Sequence, residues 1–180
     1  AFATQGLRLE VIGDANDYVG KGLSGGAIIV RPSAAAAFVA HENTIIGNTV
    51  LYGATSGKLF AAGQAGERLC VRNSGATAVV EGAGTNACEY MTGGRVVILG
   101  EVGDNFGAGM TGGMAFVYDP DRRFMGRVNP ESLQVFRIGT SQWEAELKGL
   151  VEAHAEATDS ALAARLLNEW DVEIGKFWQV

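Results

Sequence analysis

The sequence predicts an all-β protein: a parallel β-solenoid with a C-terminal helical extension. Three observations predict it. Glycine supplies 26 of 180 residues, about twice its usual ~7% share, while prolines number only three. A motif of apolar residue, hydroxyl residue and Gly-Gly, followed by a short β-prone run, occurs three times. Landmarks along the chain return every 18–19 residues, and repeats near 20 residues signal solenoids.

The three copies are Leu23–Val30 (LSGGAIIV), Met91–Ile98 (MTGGRVVI) and Met110–Val117 (MTGGMAFV). Gly94 and Gly113 lie 19 residues apart, and Gly63, Gly82, Gly100 and Asp119 recur at 19, 18 and 19. Shorter apolar segments fill the intervals: Thr49–Gly53, Lys58–Gly63, Arg68–Val71 and Ala78–Gly82. Runs this short suit strands rather than helices, and their β-branched and aromatic content agrees. Each coil therefore holds two or three strands joined by tight corners. Successive coils pair in parallel, and equivalent side chains stack into a core. A β-sandwich also uses short strands and glycine turns. It is disfavoured because no Asn-Gly or Asp-Gly pair marks a hairpin and the repeat is longer than hairpin-linked strands need.

After Asp119-Pro120-Asp121 glycine thins out. Gln142–Glu156 and Ser160–Asp171 read as helices, the second N-capped by Thr158 or Asp159. Leu162, Leu166, Leu167 and Trp170 fall on one face of it. Phe177-Trp178 ends the chain with apolar surface that needs a partner, either the solenoid or another domain. The chain thus divides into a β-helix over residues 1–125 and a helical tail over residues 126–180.

A 47% hydrophobic, 19% charged composition excludes bulk disorder. Net charge is −6, and the only basic cluster is the short Asp121-Arg122-Arg123. Nucleic-acid binding, which needs a basic face, is therefore excluded. No apolar run approaches the roughly 20 residues that span a bilayer, and Ala1–Glu10 has no signal-peptide pattern. A soluble, cytoplasmic chain without membrane contact is expected. Cys70 and Cys88 are the only cysteines. They form neither a zinc nor an iron–sulfur set and read as reduced core residues rather than a disulfide.

Several motifs look chemical. Gly20–Gly25 and Gly107–Gly112 match G-x-G-x-x-G, and Gly82–Ala87 matches G-x-G-x-x-A. A dinucleotide site needs a helix leaving the loop, with its N-terminus at the pyrophosphate. Here β-prone runs follow the first two, and only Cys88–Thr92 separates the third from the next Gly-Gly. Tight corners are the preferred reading, and no Gly-Lys-Ser/Thr loop is present. His41, in a loop, and His154, on a helix face, lack a nucleophile motif nearby and read as surface or packing residues. Asp14, Asp17, Glu81, Glu89, Glu101 and Asp104 gather near the glycines. Asp17 and Asp104 precede Gly20 and Gly107 equivalently, the arrangement of an acid/base pair in polysaccharide-cleaving solenoids. Turn-forming carboxylates that bond nearby N–H groups are preferred. Asn16, Asn43, Asn48, Asn73, Asn86 and Asn105 are expected to stack amide on amide.

Gly13–Gly26 (GDANDYVGKGLSGG) resembles the opening of the GXGXG-motif domain at the C-terminus of the glutamate synthase large (alpha) subunit. Asn43–Thr49, Gly57–Gly63, Glu67–Ala76 and Gly82–Gly113 are similar to its later coils. Asp119–Val128 resembles its exit strand, and Trp170–Val180 its chain end. The resemblance covers nearly the whole chain. It implies a right-handed, single-stranded parallel β-helix. It also implies neighbours in the same large subunit: a glutamine amidotransferase domain and an FMN-binding synthase barrel. Ammonia from glutamine passes between them to 2-oxoglutarate, giving two glutamates. The parent enzyme is implied to carry FMN and an iron–sulfur cluster, with FAD and NADPH on a small partner subunit or ferredoxin as donor. The domain itself is implied to hold no cofactor and no catalytic or metal-binding residue. Only structural glycine corners carry over: Gly20, Gly22, Gly25, Gly26, Gly93, Gly94, Gly107, Gly109, Gly112 and Gly113. The chain starts at Ala1 rather than a nucleophilic cysteine and lacks the FMN barrel, so alone it is expected to be catalytically silent and to be a fragment of a larger polypeptide. Two alternatives stand beside this reading. One is a free-standing subunit of a related oxidoreductase, like the β-helix subunit of formylmethanofuran dehydrogenase. The other is a carbohydrate-active solenoid.

Overall fold

A computed structural model describes all 180 residues. The apolar runs form β1 (Arg8–Ile12), β2 (Ser24–Arg31), β3 (Thr44–Ile46), β4 (Ser56–Ala61), β5 (Gln64–Ala65), β6 (Ser74–Val80), β7 (Thr92–Ile98) and β8 (Gly112–Tyr118). Strands β1, β2, β4, β6, β7 and β8 stack in that order, every pair parallel. One row of the stack reads Ile29, Phe60, Val79, Val97, Phe116. Three residues beyond that row come Gly63, Gly82, Gly100 and Asp119, so the repeat in the sequence is the register of the stack. A second, narrower parallel face pairs β3 with β5 and continues through bridges at Ala83 and Val102. The fold is the expected β-helix.

Alternate strand residues take opposite sides. Ile28, Val30, Leu59, Ala61, Ala78, Val80, Val96 and Ile98 fill the solenoid interior. Ile29, Phe60, Val79, Val97 and Phe116 point outward but are covered by the tail. A parallel sheet buried on both faces reads as a continuous apolar run rather than an alternation, which is what the sequence shows.

Two segments read as strands are corners instead. Thr49, Leu51 and Gly53 have φ of 58°, 59° and 61°, and Arg68, Cys70 and Arg72 have 63°, 60° and 56°. Alternating left-handed residues cannot lie in an extended strand. Residues 32–43, inserted between β2 and β3 and ending in a 3₁₀ turn at Ala40–Glu42, lengthen the first repeat.

The tail adds β9 (Phe136–Arg137), α1 (Ser141–Thr158), α2 (Ala161–Asn168), α3 (Trp170–Glu173) and β10 (Phe177–Gln179). The expected second helix is broken at Glu169 into α2 and α3. Neither Thr158 nor Asp159 caps it. Thr158 Oγ1 donates to the His154 carbonyl at 2.7 Å, and Asp159 is the left-handed C-cap of α1 with φ 55°. Ser160 is the N-cap, accepting Ala163 N–H at 3.0 Å. Leu162, Leu166 and Trp170 are buried as expected, and Leu167 is half-buried. Asp119–Val128 is not an exit strand. The Asp119 carboxylate accepts Arg123 N–H at 2.8 Å and Phe124 N–H at 3.2 Å, which turns the chain into a 3₁₀ segment at Phe124–Gly126. Phe177-Trp178 finds its partner in the solenoid: β10 pairs antiparallel to β8, and β9 to β10. The last coil edge is thereby covered, while β1 at the opposite end is exposed along its length.

Candidate functional site

Each corner places three alternate residues at positive φ: Tyr18, Gly20, Gly22; Thr49, Leu51, Gly53; Arg68, Cys70, Arg72; Asn86, Cys88, Tyr90; Asn105, Gly107, Gly109. Glycine fills five of these fifteen places, so the bend alone does not dictate it. The Gly-Gly pairs add a second demand. Gly25, Gly94 and Gly113 have φ of 137°, 92° and 90°. Their partners Gly26, Gly93 and Gly112 have no positive φ, but a Cβ there would meet the backbone of the preceding coil. At Gly112 it would lie 2.5 Å from the Thr92 carbonyl oxygen.

The three glycine motifs lead into strands or a further corner, so no helix N-terminus faces them and they do not fit a dinucleotide. Cys70 and Cys88 occupy the same place in adjacent corners, unbonded and buried. Burial, with Cys88 alongside, pushes the Cys70 thiol well above its ordinary range. Burial pushes Cys88 up to about 12. Ligation and nucleophilic attack need a thiolate, so the pair does not fit a metal or cluster.

Asp17 and Asp104 sit at the first and fifth corners and do not converge. Asp17 is not a local turn-former: its Oδ1 accepts Asn48 N–H at 2.8 Å from the next coil. Asp104 pairs with Arg127. Glu101 pairs with Arg123 at 2.5 Å and Glu89 with Arg68 at 3.9 Å. The asparagines do not ladder amide on amide. Asn48 Oδ1 accepts Glu67 N–H at 2.8 Å, Asn73 bonds the backbone of Ala76, and Asn86 donates to Glu89. Corner N–H groups have no partner within their own coil and take the side-chain oxygens first.

The seam between solenoid and tail holds the polar groups of most interest. Glu81, directly after β6, is only 2% exposed and is not a turn-former. Its Oε1 accepts the Ser160 hydroxyl and faces His154 Nε2 at 3.2 Å. Glu81 Oε2 and His154 Nδ1 have no partner. Nearby, Tyr118 donates to Glu173 at 2.5 Å, and Lys176 donates to its other oxygen at 2.7 Å. Burial, then Glu173, raises the Tyr118 phenol to about 12. Burial pushes the Glu173 carboxyl up, but hydrogen bonds from Lys176 and Tyr118 outweigh it and hold it below its ordinary value. His154 thus has a packing role, and its burial was legible: Leu147, Val151, His154 and Thr158 form one stripe of α1. Its partner, 73 residues away, was not.

A cleft of about 670 Å³ opens beside this seam. Glu81 and Asp119 stand on the solenoid side, Arg123 and Arg127 on the 3₁₀ turn, Arg165 on α2, and His41 and Glu42 on the insert. His41 is therefore half-buried in a wall rather than in a free loop. No helix is long and apolar enough to cross a membrane.

The family model described as GXGXG motif matches residues 1–180. A glutamate synthase [NADPH] large chain from Azospirillum brasilense is 64% identical over 180 residues, all of this chain and 12% of that one. A ferredoxin-dependent glutamate synthase from Pyropia yezoensis is 52% identical over 180 residues, again 12% of its length. A glutamate synthase [NADH] from Schizosaccharomyces pombe is 51% identical over 180 residues, 8% of its length. The chain spans 12% or less of the length of these relatives.

Proposed function

The chain belongs to the GXGXG motif family of glutamate synthase large chains, and from that premise we propose that it is a non-catalytic structural domain of such an enzyme. In this reading it braces the amidotransferase and FMN synthase domains of the same chain and helps shield ammonia between them. The reaction served is glutamine plus 2-oxoglutarate to two glutamates. FMN and the iron–sulfur cluster belong to other parts of the large chain, and FAD and NADPH to a small partner subunit where NADPH is the donor. The working location is the cytoplasm. One observation carries the reading. The same 180-residue unit matches at 51–64% identity relatives named for NADPH, for ferredoxin and for NADH. A unit that stays alike while the donor changes is not the part that handles the donor. The relatives carry it as a small segment of a long chain, which weighs against a free-standing subunit. The reading also treats residues 1–125 and 126–180 as solenoid and tail, with the ten glycines as structural corners.

The test uses the whole enzyme. Phe116→Ala loosens the seam between β8 and α1, where Phe116 is fully buried against Trp143. The expected result is that glutaminase activity and synthesis from added ammonia persist, while glutamine-driven synthesis falls and free ammonia escapes. Loss of one half-reaction, with the remaining coupling still stoichiometric, would show that the domain acts on chemistry and would refute bracing.

A further inference from the structure

The cleft at the seam carries an unmet demand. Glu81 is a buried carboxylate with one oxygen bonded and the other, Oε2, without a donor. Buried acceptors are normally satisfied, and a carboxylate oxygen left bare is costly. The other charges of the cleft are already committed. Asp119 accepts from Arg123 N–H, Phe124 N–H and Trp178 Nε1. Arg123 is held by Glu101 and Asp121, and Arg127 by Asp104. Arg165 stands by Tyr118 and Glu173. Glu42, exposed on the insert, has no ion pair. What remains uncommitted is therefore acidic: Glu81 Oε2 in the wall and Glu42 on the rim.

We propose that this cleft binds an organic cation, a primary ammonium or guanidinium group, with Glu81 Oε2 as its acceptor and Glu42 contributing at the rim. The group supplies the donor that Glu81 lacks, and a charge-assisted hydrogen bond in a half-enclosed site is stronger than one in water. An anion is disfavoured because every guanidinium in the cleft already faces an acid or a phenol. The cation comes either from a free amine or from a Lys or Arg side chain of a neighbouring protein segment. The proposal does not depend on the bracing role.

The probes are ethylammonium and ethylguanidinium, with ethanol as the neutral control, titrated into the ¹⁵N-labelled chain. Saturable shifts are expected at the amides of Ala83, Gly100 and Gly103, which line the cleft. Ligands this small reach Kd values on the order of 1–10 mM. Ethanol should give no saturable shift. Glu81→Gln keeps a carbonyl for Ser160 and His154 but turns the bare oxygen into a donor. It should weaken binding more than about tenfold. Glu42→Gln, at an exposed site, should weaken it about two- to fivefold and keeps the proposal testable if Glu81→Gln fails to fold. Nα-acetyl-lysine methylamide separates the sources. Its binding points to a protein side chain, while exclusion with ethylammonium still bound points to a free amine. No saturable shift with any cation would mean that solvent alone meets Glu81, and the proposal falls. Unchanged affinity in Glu81→Gln, or in Glu42→Gln where the former does not fold, would overturn it as well.

Discussion

Gly112→Ala separates two reasons for glycine in this solenoid. Gly112 needs no left-handed backbone, but its new Cβ would lie 2.5 Å from the Thr92 oxygen, about 0.9 Å short of the 3.4 Å where ordinary contact begins. The obstacle is backbone, so the coils must part. Thr111 N–H and Gly112 N–H both donate to the Met91 carbonyl, at 2.9 and 3.3 Å. Parting the coils by that distance stretches both bonds past useful geometry. Two unmade buried bonds cost about 2–5 kcal/mol together, or about 5–20 °C in Tm for a domain of this size. Gly53→Ala is the control. It sits at φ 61° with nothing within 4 Å of its Cβ, so only the left-handed strain of about 1–2 kcal/mol applies. Urea unfolding followed by far-UV circular dichroism reads both variants. If Gly112→Ala costs less than about 1 kcal/mol, or less than Gly53→Ala, close stacking is not why glycine is there.

Two further outcomes follow from the seam. Glu81→Ala strands the Ser160 hydroxyl and His154 in a dry site and should cost about 3–5 kcal/mol. Adding His154→Leu should give back at least about 1 kcal/mol relative to the sum of the singles, and strict additivity in urea titrations would show that the two groups do not act as a pair. The Tyr118 phenol is raised from 10.0 to about 12 in the fold, so its stabilisation is complete below about pH 10 and is lost as pH climbs through 12. Glu173, held low, instead loses its contribution as pH falls into the carboxylate range. Thermal melts should show a steep decline above pH 10 that Tyr118→Phe flattens, and an unchanged alkaline limb in that variant would contradict the assignment.

How much was legible follows from which forces are periodic. Gly63, Gly82, Gly100 and Asp119 announced the register because each coil must match its neighbour in length and backbone path. The same constraint made Leu23–Val30, Met91–Ile98 and Met110–Val117 look alike. Thr49–Gly53 and Arg68–Val71 misled because their apolar residues are buried in corners. Burial attracts Val, Leu and Cys whether the backbone is extended or left-handed, and composition cannot tell the two apart. Asp119–Val128 misled because a carboxylate that folds back on two N–H groups overrides strand propensity.

Sequence by itself determined the stacked coils, the helical tail, the inert cysteines and the family. Those follow from local spacing, which one strand of text records. Only the tertiary structure decided that β10 turns back on β8, that Asp17 clips the next coil, and that Glu81 meets Ser160 and His154 beside a cleft with one oxygen unmet. Each of those joins residues from distant parts of the chain. Their pairing is fixed by the packing of whole elements and leaves no period for a sequence to display.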